Sequence, residues 1–363
     1  MEDFAVRTGL SSDGTQHRYL WTDAFALCNY LTLLRRTGDM RFRDLSFRLI
    51  DRVHHVLGRH RPDDPRRGWI SGLSEEEGER RPTAGGLRIG KEVRERSPGE
   101  PYDPGSEWDR DGQYYHYLVK WMHALNRAAD VLEEPEWRTW AVELAKAAHA
   151  GFTYRPGPGT AKRMYWKMSV DLTRPLVPSQ GAHDALDGFV ISSALRVDDL
   201  RREVDDLERM LHAAAWATDD PLGIGGLLTD GAWVAQLLGS SSSEPERLEP
   251  LLAHLVDSSV VSLEALARTR GFLRPLAHRL AFRELGLAIG LRAWESLFAA
   301  AAPPAPVDTA GARLLERHVD MADEITATWL SPAARATATW KAHEDINDVM
   351  LATALAPDEF IRV

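Results

Sequence analysis

The chain has 363 residues, of which 44% are hydrophobic and 27% charged, with a formal net charge of -10 at pH 7. This acidic balance gives no general electrostatic reason to bind nucleic acid or an anionic membrane surface. Cys28 is the only cysteine, so an intrachain disulfide and zinc sites built on several thiolates are excluded, and a reducing, cytoplasmic location is expected.

The first residues, Met1 to Arg7, have neither the basic region nor the apolar core of a secretion signal. No later segment has eighteen uninterrupted apolar residues, so no membrane span is predicted. Apolar residues instead recur at helical spacing, as in Phe42, Leu45 and Leu49. The pattern predicts an all-α chain that forms a single domain over residues 1–363.

Clusters of Pro, Gly and Ser divide the chain into helices and loops. The predicted helices span residues 22–37, 39–59, 107–132, 134–153, 181–195, 199–217, 223–239, 246–268, 275–299, 310–328 and 332–356. Between them lie a long loop at about 60–106, an irregular or hairpin insert at about 154–180, and simple connectors at 240–243 and 299–307. A loop as long as the first is usually functional or disordered.

Every second helix starts with acids, histidine or small residues, whereas its partner is an ordinary amphipathic helix. These polar starts lie at residues 21–23, 108–113, 181–188, 228–231, 282–286 and 343–348. Six such starts predict six helical hairpins in an (α/α)6 toroid, whose inner helices open their N-terminal ends on one face. Closure of the ring would bring the acids of the last inner helix toward Asp23.

The densest polar start is Glu107 to His116, which combines acids, an arginine, a histidine and aromatic residues. Asp109 and Asp111 are candidate catalytic carboxylates, because paired carboxylates can act as acid and base in glycosyl chemistry. The candidate substrate-binding residues here are Trp108, Gln113 and His116. Alternatively, an acid of this cluster caps the helix and Arg110 pairs with another acid as scaffold.

A second polar start contains His183, Asp184 and Asp187, in which Asp187 is three residues after Asp184 and four after His183, so each of these two pairs lies on a shared helix face. All three are candidate catalytic groups that could hold a sugar, a water molecule or a proton relay. The alternatives are a helix cap at Asp184 and an ordinary buried histidine.

Further candidates for substrate binding come from the other polar starts and from the loops. They are Trp21, Asp23, Asp230, Trp340, His343, Glu344 and Asp348 at helix starts, and Arg88, Lys91 and Trp166 in the loops. Tryptophan rings suit the C–H faces of sugars, and the two cations could meet a carboxylate or phosphate. The alternatives are capping for Asp23 and Asp230, a solvated charged face around residues 340–348, and plain core for any single tryptophan.

The spacing of the residues does not indicate a metal or cofactor site. The chain has neither a His-Glu-x-x-His motif nor a set of thiolates. A Ca²⁺ or Mg²⁺ ion at the carboxylates has no motif behind it, so neither a metal nor a cofactor is predicted.

Residues 20 to 356 resemble the six-hairpin glycosidase superfamily, the α/α toroids that include unsaturated glucuronyl hydrolases and, more distantly, the N-acylglucosamine 2-epimerases. The resemblance is carried by the arrangement of helices and by the segments Trp21 to Phe25, Glu107 to His123 and Gly181 to Gly188. It implies a carbohydrate substrate. No catalytic motif of one family aligns residue by residue, so the resemblance assigns no catalytic residue.

Three hypotheses follow for the function. The first is a glycoside hydrolase of carbohydrate metabolism with paired carboxylates in a tryptophan-lined pocket, acting on a small-molecule or oligosaccharide substrate. The second is a sugar epimerase or isomerase in which His116, His183 or His343 transfers protons. The third is a non-catalytic toroid that binds a glycan or a protein. No nucleic-acid or membrane partner is expected, and the sequence leaves the oligomeric state open.

Overall fold

A computed structural model describes residues 1–11, 17–211, 215–240, 244–269, 271–300 and 310–363. Within these ranges the chain is mainly helical. The helices are α1 (Glu2–Arg7), α2 (Leu20–Thr37), α3 (Met40–Leu57), α4 (Glu75–Arg80), α5 (Pro104–Glu107), α6 (Tyr115–Leu132), α7 (Pro135–Phe152), α8 (Asp184–Ala194), α9 (Arg201–Leu211), α10 (Pro221–Leu238), α11 (Pro245–Thr269), α12 (Ala281–Phe298), α13 (Ala310–Glu316), α14 (Met321–Leu330), α15 (Pro332–Arg335), α16 (Ala338–Lys341) and α17 (Glu344–Leu355). Three short 3₁₀ helices lie at Asp198–Leu200, Gly271–Leu273 and Leu276–His278.

The chain divides into two compact units. The N-terminal unit is Glu2–Ala214, and the C-terminal unit is Ala215–Val363 together with Met1. The prediction of a single domain over the whole chain stays a prediction. Each unit is built from helical hairpins, and the two are described separately below.

In the N-terminal unit the inner helices α2, α6 and α8 lie side by side, and each packs on the helix that follows it, α3, α7 or α9. The inner helices are buried on every side over residues 20–32, 118–129 and 184–192. The outer helices bury only one face, which in α3 includes Phe42, Leu49 and Val53. The predicted alternation of inner and amphipathic helices is thus confirmed in this unit.

In the C-terminal unit α10 and α12 are neighbours, and α12 also packs on α14 and α17. Glycines bring the first two helices very close together. A Cβ atom at Gly225 would lie 2.1 Å from the carbonyl oxygen of Gly286, and one at Gly290 would lie 2.5 Å from the carbonyl oxygen of Gly225. Only glycine fits at such a helix crossing, so this contact is fixed by the sequence.

Several predicted helix boundaries were wrong. The helix predicted from residue 107 begins at Tyr115, because residues 104–114 form α5, a turn and a strand. The helix predicted from residue 275 begins at Ala281, after a 3₁₀ turn. The helix predicted over 310–328 breaks after Glu316, and the one over 332–356 is three short helices. Two of these begin at side-chain caps, Ser331 on the amide of Ala334 and Thr337 on the amide of Trp340.

The predicted insert at 154–180 contains short strands, as expected for a hairpin. The strands are β1 (Gln113–Tyr114), β2 (Thr153–Tyr154), β3 (Arg163–Met164), β4 (Lys167–Met168) and β5 (Pro175–Val177). They form an antiparallel three-stranded sheet in the order β1-β4-β5 and a separate antiparallel β2–β3 pair. The predicted connectors 240–243 and 299–307 lie largely outside the described residues, as does the predicted helix after Leu211.

The long loop at 60–106 is held against the N-terminal unit by arginines. Arg66 contacts Asp64 at 2.8 Å, Asp171 at 3.0 Å and Glu95 at 2.5 Å. Arg61 donates to the carbonyl oxygens of Lys91 and Glu92. The loop is therefore cross-linked by ion pairs and hydrogen bonds at several points along its length.

One segment, Pro245–Leu273, meets the length and composition criteria for a membrane-crossing helix, although no span was predicted from the sequence. This is weak evidence, because the segment contains α11, whose most apolar window is 44% buried inside the protein. A core helix meets the same criteria.

Candidate functional site

The starts of the three inner helices of the N-terminal unit meet at a cluster of aromatic rings. The ring of Trp21, at the start of α2, lies 6.0 Å from that of His116 and 5.3 Å from that of Tyr117, both at the start of α6. The hydroxyls of Tyr19 and Tyr117 are 2.7 Å apart and hydrogen-bonded. The structure thus brings together the polar starts at residues 21 and 116.

A histidine and a carboxyl group face each other across this cluster. Nδ1 of His116 lies 3.6 Å from Oδ1 of Asp184, the first residue of α8, and the side chains are 23% and 7% exposed. This separation is too long for a hydrogen bond. Within the described ranges, neither Nδ1 of His116 nor Oδ2 of Asp184 has a hydrogen-bond partner. Both groups therefore keep polar capacity for a ligand.

Burial pushes the pKa values of these two groups in opposite directions. It raises the pKa of the Asp184 carboxyl to about 8, and the negative charge of Asp187 adds to the increase. It lowers the pKa of the His116 imidazole to about 4, against the opposing effect of Asp187. At neutral pH the site therefore presents a protonated carboxylic acid beside a neutral imidazole, which is an acid and a base ready for proton transfer.

Two glycines allow this arrangement. A Cβ atom at Gly181 would lie 2.5 Å from the carboxyl group of Asp184, and one at Gly188 would lie 2.3 Å from the hydroxyl oxygen of Tyr115. The first glycine lets the loop before α8 lie against the carboxyl group. The second lets Tyr115 of α6 lie directly against α8, so the two helices approach closely at the site.

A second cross-helix contact lies next to the first. Nζ of Lys120 on α6 is 3.6 Å from Oδ1 of Asp187 on α8, and both side chains are largely buried. The sequence analysis identified Asp187 but missed Lys120. Lys120 could have been identified from its position, because it is a single lysine inside the apolar run from Leu118 to Trp121 and lies four residues after His116.

Aromatic residues extend the cluster from His116 toward solvent. The ring of Trp166 lies 6.5 Å from the His116 ring and 4.8 Å from the ring of Trp108, which is 47% exposed. Tyr114 lies against both tryptophans. The structure therefore groups Trp108, Trp166 and His116, three residues that were predicted to bind substrate.

Three residues predicted to serve the site lie in the scaffold. The buried carboxylate of Asp111 pairs with the Arg88 guanidinium and accepts the amides of Gly90 and Lys91. Arg88 also donates to the carbonyl oxygens of Arg59 and Val56. The side chain of Gln113 accepts the amide of Leu87 and donates to the carbonyl oxygens of Gly85 and Val170. These partners hold the three side chains in the scaffold, while the predicted catalytic role of Asp111 and the predicted substrate-binding roles of Arg88 and Gln113 stay predictions.

Asp23 is held by neighbours at the start of α2, and its predicted binding role stays a prediction. Its buried carboxylate contacts Arg18 at 3.2 Å and accepts the amide of Tyr19 at 3.1 Å, so it stabilises the start of α2. Lys91 donates to the carbonyl oxygen of Trp108. Asp109 is exposed, and His183 is half-buried just before α8. The catalytic roles proposed for Asp109 and His183 stay predictions.

The remaining candidates lie in the C-terminal unit. Trp340 is 1% exposed and stacks on Trp329 at 6.1 Å, so it lies in the core, and its predicted binding role stays a prediction. Asp230 is fully buried in α10. The other three lie at the start of α17, where His343 is exposed and Glu344 and Asp348 are half-buried. Their predicted approach to Asp23 stays a prediction.

In the part of the chain that the structure describes, no group of three or more His, Cys, Asp or Glu residues is placed to hold a metal ion.

No protein-family model matches the chain, and no curated protein matches its sequence. Among solved structures, the chain is similar to cellobiose 2-epimerase from Spirochaeta thermophila DSM 6192, with a TM-score of 0.53 and 10% sequence identity. The match covers 95% of this chain and 87% of that one. The all-α prediction is confirmed, and the chain is similar in fold to this (α/α)6 toroid structure.

Proposed function

We propose that this chain is a sugar epimerase or isomerase that moves a proton at the carbon next to the carbonyl group of a reducing sugar. One observation carries the proposal, the 3.6 Å approach of a neutral imidazole and a protonated carboxyl group at the meeting point of three inner helices. The similarity in fold to a protein named as a cellobiose 2-epimerase supports it.

The proposed reaction is a balanced proton exchange. The imidazole of His116 takes the proton from the carbon next to the carbonyl, while the carboxyl group of Asp184 gives its proton to the carbonyl oxygen, which yields a neutral enediol. His116 then gives its proton to the neighbouring carbon while the Asp184 carboxylate takes the proton of the other enediol hydroxyl, which re-forms a carbonyl group there and gives an isomer. Return of a proton to the same carbon from the opposite face gives an epimer and needs a second proton donor.

The aromatic cluster supplies the binding surface in this proposal. Trp21 and Trp166 flank His116, and Trp108 extends the cluster to the surface. Flat rings of this kind pack on the apolar C–H faces of a sugar.

Proton transfer fits this site better than glycoside hydrolysis does. Hydrolysis needs two carboxyl groups on either side of the scissile bond. Asp111 is committed to the scaffold, whereas Asp184 and Asp187 lie three residues apart on a single helix, with Asp187 paired to Lys120. A histidine beside a protonated acid matches the requirements of enolisation more closely.

The test is to incubate the protein in deuterated water with a panel of reducing mono- and disaccharides and to follow the sugars by NMR. The proposal predicts deuterium at the carbon next to the carbonyl together with an epimer or isomer. His116→Asn should abolish both. His55→Asn is the matched control, because His55 lies on the outer helix α3, where it contacts Glu79 of α4, and its replacement should leave turnover unchanged. Cleavage without exchange would establish a hydrolase, and saturable binding without product a non-catalytic toroid.

A further inference from the structure

Two pairs of side chains form successive contacts between α6 and α8. On α6, His116 and Lys120 are four residues apart, and on α8, Asp184 and Asp187 are three apart, so each helix presents its two groups on one face. Both cross-helix distances, His116 to Asp184 and Lys120 to Asp187, are 3.6 Å. The ion pair therefore lies one helical turn from the acid and base.

The ion pair is enclosed in the protein. The side chain of Lys120 is 7% exposed and that of Asp187 is 10% exposed. Water screens charges poorly at such depth, so each charge acts on groups several ångströms away. Both charges act on His116 and on Asp184.

The other titratable groups around the acid and base are His183, the residue directly before Asp184, and four phenols. Burial raises the pKa values of Tyr19 before α2, Tyr114 in β1, and Tyr115 and Tyr117 in α6, so these groups are neutral below pH 10. The loop before α8 contributes the amide of Gly181. Within the described part of the chain, Lys120 and Asp187 are thus the charged groups that control this site.

We infer that Lys120 and Asp187 are a positioning pair, which holds the acid and base of α6 and α8 in place and sets the pH range in which they act. Lys120 has no role in the proposed function and is a new member of the site. The inference rests on the proposed function only where turnover is the readout, because the same pair can be tested by direct titration of Asp184.

The charges of Lys120 and Asp187 have opposite effects on the pKa of Asp184, so removing one or the other should shift this pKa in opposite directions. Asp187→Asn removes a negative charge that favours a proton on both His116 and Asp184, so both groups should titrate lower, by about one pH unit. Lys120→Met removes a positive charge that opposes the proton on Asp184. The Asp184 carboxyl should then titrate higher, also by about one pH unit.

The experiment follows the side-chain carboxyl carbon of Asp184 by ¹³C NMR between pH 5 and 10, in the full chain. The signal is assigned by its loss in Asp184→Asn. Lys120→Arg keeps the charge and should restore the wild-type titration. Lys146→Met is a matched control, because Lys146 pairs with Asp199 where the side chains are 40% and 73% exposed, and it should leave the titration unchanged.

Opposite shifts in Asp187→Asn and Lys120→Met, with rescue by Lys120→Arg, support the inference. The inference is overturned if the Asp184 titration shifts in the same direction in both variants, or if it does not shift in Asp187→Asn. The result for Asp187→Asn is decisive even if Lys120→Met fails to fold. When a sugar turns over, the upper pH limit of deuterium exchange should move with the NMR titration. Absence of exchange in the wild type refutes the proposed function alone, because the titration remains measurable.

Discussion

Burial keeps the Asp184 carboxyl group protonated, and this reduces the free energy of unfolding by an amount that can be measured. Because its pKa is raised to about 8, the folded state holds a proton that the unfolded chain releases near pH 4. The free energy of unfolding therefore falls as the pH rises from about 4 to about 8 and levels off above the folded pKa. Such a cost is typical of groups kept for chemistry rather than for stability.

Asp184→Asn should separate activity from stability. Asparagine has nearly the same shape and no proton to release, so the variant should lose proton transfer while avoiding the loss of stability at high pH. Relative to wild type, its free energy of unfolding should rise by at least about 2 kcal/mol between pH 5 and pH 8.5. Urea unfolding at the two pH values measures this difference. If the variant differed from wild type by the same free energy at both pH values, Asp184 would be ionised in the folded protein.

Gly181→Ala should disturb the acid without touching the substrate. The new Cβ atom would lie 2.5 Å from the Asp184 carboxyl group and must displace it. Displacement of a catalytic group by about 1 Å can cost a hundredfold in rate, so we expect turnover to fall by at least about tenfold.

The matched control is Gly226→Ala in α10, where an added Cβ atom meets nothing within 4 Å. This control should keep wild-type turnover and stability. Turnover in Gly181→Ala equal to that of the control would mean that the position of the Asp184 carboxyl group is unimportant.

At the scale of elements, the long loop acts as a framework for the site. Arg88 ties it to the end of α3 and to Asp111. The buried Lys167 of β4 donates to the carbonyl oxygens of Glu107 and Arg110 and to the carboxylate of Glu107. These contacts hold the turn that contains Trp108, so the backbone of this exposed tryptophan is fixed in place.

Arg88→Met should destabilise the loop strongly. It removes the nearer guanidinium partner of the buried Asp111 carboxylate and leaves only that of Arg61, at 4.0 Å, and breaking a buried ion pair costs about 3–5 kcal/mol. Adding Asp111→Asn should recover part of this loss, because the uncompensated charge is removed. Arg80→Met, which breaks an exposed pair with Glu76, is the control and should change the free energy of unfolding very little.

Chemical denaturation measures all of these variants. A loss below about 1 kcal/mol in Arg88→Met would show that the ion pair does not hold the loop.

The sequence predicted the helices well and the loops poorly, for physical reasons. Inner helices such as α2 and α8 were found because polar residues precede long buried runs, which is a local pattern. The contacts of Asp111 and Gln113 could not be predicted, because they are made to a loop more than twenty residues earlier in the chain. His116 and Asp184 were both identified, but their pairing depends on how α6 packs on α8.

At the scale of the whole molecule, each compact unit has its own buried core. In the C-terminal unit, the last residues pack on α10. Phe360 is 4% exposed and lies 5.9 Å from Trp233, and the side chain of Gln236 donates to the carbonyl oxygen of Ile361 at 2.7 Å. The end of the chain thus contributes to the stability of this unit.

Phe360→Ala should therefore weaken the C-terminal unit. Removal of a buried aromatic ring costs about 3–5 kcal/mol, and amide protection in α10 should fall accordingly. Hydrogen exchange measured by mass spectrometry reports this loss. Leu330→Ala is the control, because Leu330 of the same unit is 50% exposed. Unchanged protection of α10 in Phe360→Ala would show that the end of the chain does not stabilise it.

The central claim is that His116 and Asp184 transfer protons to and from a sugar, and the pH profile of deuterium exchange tests it most directly. The account predicts exchange between about pH 4, where His116 becomes protonated, and about pH 8, where Asp184 loses its proton. His116→Asn should show no exchange at any pH. Exchange that persists in His116→Asn, or that continues unchanged well above pH 8, would contradict the account.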